Sequence, residues 1–302
     1  MAKIIAPVVT IFNEEEKPDY AGNKKVIDFL IEGGLDGILI PGGFGGRGIE
    51  GMLLNEQERL DFFRFYAEYV NGRVELLAGT GCIRYADTLA LSNAVYELGY
   101  TPMVISPYYF EMDQEKLFVY YDRLAKDVKG DLYLYNFPPR TGHSIAPETI
   151  RRLIDANPNI IGLNSVSTPG HTNMVCRAVE GKPFTVYSGF DDQFLSNIAN
   201  NGGGGCIGAL SIIVPEIWSS LVKAANERDF DRTFALYHLI QKLMPIYDMD
   251  TNCSLILKKL LVHRGLEISD RAVCPFNQMN AAIYQSAADL LDSVLAEYRS
   301  MR

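Results

Sequence analysis

The sequence predicts an α/β fold, a (β/α)8 TIM barrel with a C-terminal helical appendage, and three observations carry that prediction. Short apolar runs alternate with longer amphipathic segments, one strand–helix unit every 25 residues or so (roughly the spacing of such barrels) through about residue 228. Several of the short runs are rich in Val, Ile and Leu without polar alternation, as parallel strands covered on both faces are. After Arg228 the pattern changes to helices alone. An open doubly wound sheet is the competing arrangement.

Taken in order, the strands are expected at Ile4–Thr10, Gly37–Pro41, Val74–Gly79, Met103–Ser106, Leu132–Asn136, Ile160–Leu163, Phe184–Ser188 and Cys206–Leu210. Helical segments fill the intervals. The second has a clear start: Asn55 precedes Glu56-Gln57-Glu58, which places Glu58 at the third helical position and makes a capping box. Leu60, Phe63, Tyr66 and Tyr69 then recur at helical spacing. The fifth opens Ala146-Pro147-Glu148, with proline where a first turn tolerates it. Three trailing helices are expected at Asp231–Tyr247, Cys253–His263 and Gln278–Met301. The division is a barrel over 1–228 and a helical segment over 229–302. The glycine run at 202–205 precedes the eighth expected strand and reads as a tight turn on the barrel's stability face.

Composition narrows the function classes. The chain has 302 residues, 48% hydrophobic and 22% charged, enough apolar material for a sizeable core. Its formal net charge of -9 argues against nucleic acid or an anionic membrane as a partner. No apolar run reaches the roughly 18 residues that a membrane span needs, and no signal peptide is recognisable. The five cysteines are scattered without a CxxC, as expected for reduced residues in the cytoplasm.

Residues at strand C-terminal ends face the ligand in such a barrel. The fifth strand continues into Tyr135-Asn136-Phe137-Pro138-Pro139-Arg140-Thr141-Gly142, which gathers a phenol, an amide and a guanidinium in one turn. Ser106-Pro107-Tyr108-Tyr109 follows strand four, so three phenols are expected at one face. Phenols can pass protons to and from a carbonyl substrate, and Arg140 offers a fork of donors matched to a carboxylate. The loop after strand two, Gly42 to Glu50, contains a GxGxxG match at Gly43, Gly45 and Gly48. It does not open a helix directly and the next strand ends Ala78-Gly79 rather than in an acid, so a dinucleotide site is not expected. Its bare amides suit an anion such as a carboxylate, with Arg47 adding charge; a plain flexible loop is the alternative. His143 edges the site, His171 begins a helix, and His238 and His263 lie in the appendage. None has zinc spacing, and Asp248-Met249-Asp250 reads as a solvated helix end.

Together these motifs resemble the dihydrodipicolinate synthase / N-acetylneuraminate lyase family of pyruvate-dependent class I aldolases. The resemblance runs through Thr10-Ile11-Phe12, Leu54-Asn55-Glu56-Gln57-Glu58-Arg59, Ala78-Gly79-Thr80-Gly81, Pro107-Tyr108-Tyr109, Tyr135-Asn136-Phe137-Pro138, Ile161-Gly162-Leu163 and Ser188-Gly189-Phe190-Asp191-Asp192. It implies a cytoplasmic lyase without cofactor or metal. It also implies a homo-oligomer, dimer or usually homotetramer, that joins a strand-six lysine to pyruvate or another 2-oxo acid as a Schiff base. By the same resemblance Tyr135 relays protons, Tyr109 reaches a neighbouring subunit's site, and Arg140 meets a second carboxylate. Gly43, Phe44, Arg47, Gly189 and Ile207 fall at substrate-binding positions.

Two departures stand out. Strand six reads Gly162-Leu163-Asn164-Ser165, so Asn164 occupies the position where the resemblance puts the lysine. An amide does not form an imine. No lysine lies in strand six or the loop after it, and Lys182 precedes strand seven. The family's Gly-Thr-Thr-Gly-Glu loop is replaced by the glycine segment, with Gly43 and Phe44 where its threonines would be. Three readings stay open: an enzyme of family type or its disabled form, a non-catalytic binder of a 2-oxo or sugar acid, and non-covalent acid/base chemistry with Tyr135 and Asn164.

Overall fold

In order along the chain the elements are β1 (Lys3–Pro7), α1 (Tyr20–Glu32), β2 (Gly37–Ile40), α2 (Glu56–Val70), β3 (Glu75–Gly79), α3 (Tyr85–Glu97), β4 (Thr101–Ile105), α4 (Gln114–Asp127), β5 (Leu132–Asn136), α5 (Pro138–Thr141), α6 (Pro147–Ala156), β6 (Ile160–Ser165), α7 (Pro169–Ala178), β7 (Thr185–Ser188), α8 (Phe194–Ile198), β8 (Gly203–Ile207), α9 (Pro215–Glu227), α10 (Phe230–Leu243), α11 (Ile246–Met249), α12 (Cys253–His263) and α13 (Ala281–Ser300). The structure, a computed structural model, describes residues 1–41 and 50–301. The strands are hydrogen-bonded in sequence order as a closed parallel barrel, the predicted (β/α)8 fold. The chain divides into two compact units, Lys3–Val74 with Gly208–Arg302, and Glu75–Ile207.

In the first unit, β1 stops at Pro7, three residues short of the expected end. The chain there turns away to be pinned by the buried Asn23 of α1. The Asn23 carboxamide accepts from the Ile11 N–H (3.1 Å) and the Tyr66 hydroxyl (3.2 Å). It donates to the carbonyls of Ile11 (3.0 Å) and Asp19 (2.7 Å). The capping box of α2 forms as expected, with Asn55 Oδ1 accepting from the Glu58 N–H and Glu58 Oε2 from the Asn55 N–H. The first trailing helix ends at Leu243 rather than Tyr247, because Pro245 has no N–H to continue it, and the one-turn α11 follows. The second matches Cys253–His263. The last starts at Ala281, where Asn280 caps the Ala282 N–H.

The second unit shows the alternation that positions the site. Leu132 and Leu134 of β5 face outward into a cluster with Val104, Leu117, Tyr121, Leu153, Leu163 and Val186. Tyr133 and Tyr135 therefore take the opposite, interior face. At the other end of this unit the glycine run corrects the sequence reading: Gly203–Gly205 belong to β8, which ends at Ile207 rather than Leu210. A Cβ on Gly203 would lie 2.0 Å from the Asn197 carbonyl oxygen, so only a bare residue lets α8 rest directly on the strand. Pairing between β7 and β8 shifts register at Val186/Tyr187. Asn197 fills the irregularity, donating to Val186 O (2.9 Å) and accepting from the Gly205 N–H (3.0 Å).

Candidate active site at the ends of β4 to β7

Tyr135 and Asn164 sit side by side because β5 and β6 pair in parallel with their Cα atoms in register; Asn164 is in turn paired with Tyr187 of β7. Both side chains are about 1% exposed. Burial pushes the Tyr135 phenol well above its ordinary pKa of 10, and the nearby Arg140 charge offsets this only in part. At neutral pH this phenol holds its proton. It can donate a hydrogen bond or protonate a neighbour, and it is a poor base.

The turn after β5 explains how Arg140 is delivered. The ring of Phe137 stacks on that of Tyr135 at 5.9 Å and 22°. Pro138 begins the single turn α5, Arg140 points to solvent with its guanidinium 6.0 Å from the Phe137 ring centre, and Gly142 closes the turn at φ +75°. Thr141 Oγ1 donates to the His143 carbonyl at 2.7 Å.

Asn164 is held in an unusual way. Its Oδ1 is buried and has no hydrogen-bond partner. It packs against Gly189 just beyond β7, where an added Cβ would come within 2.9 Å of Oδ1 and 2.2 Å of the Val166 side chain. The Gly189 N–H is itself committed to the Ser165 carbonyl at 2.9 Å. Ile207 is buried at the end of β8.

The sequence-derived candidates are thus distributed unevenly. Tyr135, Asn164 and Gly189 come together on neighbouring strands, with Arg140 over the rim. Tyr109 does not join them within this chain: it is 79% exposed, edge-on to the 57% exposed Phe110. The three phenols expected at one face reduce to a buried Tyr135, a half-buried Tyr108 and an outward Tyr109. Thr80 turns to α3, bonded to Ser92 at 2.8 Å. Gly43, Phe44 and Arg47 lie outside the described residues. His238 is exposed, and His263 pairs with Asp292 at 3.0 Å. Among the described residues no group of three or more His, Cys, Asp or Glu is placed to hold a metal. No helix there is long and apolar enough to cross a membrane.

Sequence reasoning missed a polar web behind the site. His143 Nε2 lies 2.7 Å from Ser106 Oγ, and its Nδ1 is buried and unpartnered. Burial lowers the His143 pKa, which keeps the ring neutral near pH 7. Asn136 accepts from the Ile145 N–H (2.9 Å) and donates to Ser144 Oγ (3.2 Å). His171 Nε2 contacts the Ile145 carbonyl at 3.0 Å and Ser144 Oγ at 3.3 Å. No spacing in the sequence announces the two histidines' contacts, which cross 26 to 37 residues. Asp191, fully buried after β7, was visible only as part of the Ser188–Asp192 motif.

Comparison with known proteins extends the geometry. Residues 1–294 match the model of the "Dihydrodipicolinate synthetase family". The chain is 31% identical over 281 residues to YagE of Escherichia coli (strain K12), a putative 2-dehydro-3-deoxy-D-gluconate aldolase, covering 92% of this chain and 91% of that one. It is 32% identical over 251 residues to a 4-hydroxy-tetrahydrodipicolinate synthase of Kosmotoga olearia, covering 81% and 82%. The crystal structure of Escherichia coli K12 YagE in complex with pyruvate superposes with a TM-score of 0.90 at 28% identity, over 98% of this chain and 99% of that one.

Proposed function

Since the chain belongs to the dihydrodipicolinate synthetase family, we propose that it takes a small carboxylic acid oxygenated at C2, a 2-oxo acid or a sugar acid, at the C-terminal ends of β4 to β7, and that it does so without a Schiff base. Asn164 carries this reading. It is buried beside Tyr135 at the position where the family resemblance puts the imine-forming lysine. The nitrogen lone pair of an amide is delocalised into its carbonyl and does not attack a ketone. The occupation of YagE by pyruvate supports an acid of this size.

In this reading the exposed Arg140 at the rim meets an anionic group of the ligand. Gly189 and Ile207 line the site. The protein works in the cytoplasm as a homo-oligomer, dimer or tetramer, and the exposed Tyr109 supports a contact with a neighbouring copy. It needs no cofactor or metal. A second reading, non-covalent lyase chemistry on a carbonyl acid, draws support from the protonated Tyr135, which suits a proton donor to a developing enolate.

The test is reduction with borohydride in the presence of pyruvate, followed by intact mass measurement. The natural chain should gain no adduct. Asn164→Lys should gain one reduced pyruvate if the rest of the site accepts the acid. An adduct on the natural chain would overturn the non-covalent reading.

A further inference from the structure

The turn that carries Arg140 stands on two feet. At its start the ring of Phe137 lies on that of Tyr135, with 5.9 Å between centroids. At its end His143 Nε2 lies 2.7 Å from Ser106 Oγ, so the imidazole crosses from the far side of the β5 turn to the residue just after β4. Between the feet the chain is one helical turn closed by its own bonds. The Arg140 and Thr141 N–H groups donate to the Phe137 carbonyl, and the Gly142 N–H donates to the Pro138 carbonyl. Those bonds fix the internal shape of the turn. Its tilt over the strand ends depends on what the feet stand on.

The chain after His143 is held by other groups. Asn136 Oδ1 accepts from the Ile145 N–H (2.9 Å), and His171 Nε2 contacts the Ile145 carbonyl (3.0 Å). Gln114, at the start of α4, donates to the Ser144 carbonyl (2.8 Å) and accepts from the Ala146 N–H (2.9 Å). Residues 144 to 146 therefore keep these anchors when the imidazole is removed. The His143–Ser106 contact adds something different: it ties the Arg140 turn to a point that does not move with it. Ser106 is 2% exposed and sits directly on the end of a barrel strand. Functional loops gain precision from such ties to a rigid scaffold.

Resting on the reading of Arg140 as the rim group that meets the ligand's anion, we propose that His143 is a positioning residue of the acid site: its contact with Ser106 holds the α5 turn so that the Arg140 guanidinium is presented to that anion. The imidazole does not touch the ligand in this arrangement. A guanidinium on an anchored turn gives up less freedom on binding than one on a loose turn, and the difference appears as affinity.

Titration calorimetry with pyruvate on the full chain tests this, with a melting curve for each variant. His143→Leu keeps bulk and loses the ring nitrogen; it should weaken pyruvate binding about threefold to tenfold while the chain still melts cooperatively. Ser106→Ala removes the same contact from the other side. It should weaken binding by a similar factor, and the two changes together should cost no more than either alone. His143→Gln places an amide where Nε2 stood and should bind within about twofold of the natural chain. In an Arg140→Leu background, His143→Leu should change affinity about twofold or less, because the group it acts through is gone. A side chain that only supports the fold would cost the same in both backgrounds. Three results overturn the positioning role and leave the acid site standing: unchanged binding in His143→Leu and Ser106→Ala, a loss in His143→Gln as large as in His143→Leu, or an equal loss with and without Arg140. Natural affinity in Arg140→Leu overturns the role by removing Arg140 from the site. A natural chain that binds no pyruvate overturns the acid site and the role together.

Discussion

Two buried asparagines in this chain do opposite things. Asn23 makes four hydrogen bonds and ties the Ile11 segment, Asp19 and Tyr66 to one carboxamide. Asn164 is as deeply buried, and its Oδ1 makes none. The first is what polar burial looks like when it serves the fold: donors and acceptors close on each other and nothing is left for a ligand. The second leaves a cost that the fold does not offset.

The contrast is tested most severely by removing both amides. Asn23→Leu strands the Ile11 N–H and the Tyr66 hydroxyl in the interior and should destabilise the chain by about 3 kcal/mol or more, read from the urea midpoint. Asn164→Leu removes an oxygen that already lacks a donor, and should cost less than about 1 kcal/mol or even stabilise. A loss at residue 164 as large as that at residue 23 would show that the Asn164 amide is structural after all.

Gly189→Ala should have an intermediate effect. Its methyl group would press on Val166 and Asn164 Oδ1, and a shift of this kind costs on the order of 1–3 kcal/mol. The same variant should weaken acid binding, since it crowds the proposed site at Gly189. Undiminished binding with a normal melting curve would remove Gly189 from the site.

The smallest effect concerns His143. Its pKa is lowered in the fold by burial, so the unfolded chain takes up the proton first. Stability from this group is present above its unfolded pKa of about 6.5 and falls as pH drops through that value towards the lower folded one. Around it, Ser106 just after β4 meets its ring, Thr141 meets its backbone, and His171 from α7 grips the next residues. His143→Gln should flatten the pH dependence of the melting temperature below pH 6.5; an unchanged slope would assign that dependence elsewhere.

Much of this was legible in the residues. The limits of β5 were read to the residue, because an unbroken apolar run ends in turn chemistry, and Asn55 with Glu58 announced a local, self-contained cap. Asn164, at the position where the family resemblance puts the lysine, is read from motif alone. What escaped was non-local. Nothing near His171 says that it meets Ile145, and nothing near Gly203 says that a helix backbone lies against it. Tyr109 was grouped with Tyr135 by its place after a strand, but direction depends on how the Pro107 segment leaves the barrel. The unsatisfied state of Asn164 is a property of its surroundings, so no sequence pattern contains it.

The slip in pairing between β7 and β8 has its own consequence. There the Asn197 carboxamide lies between the two strands and bonds to both, so a side chain stands in for a rung of the ladder. The last strand of the barrel is therefore stitched to its neighbour through α8 as well as directly, and a helix of five residues becomes a structural part of the sheet.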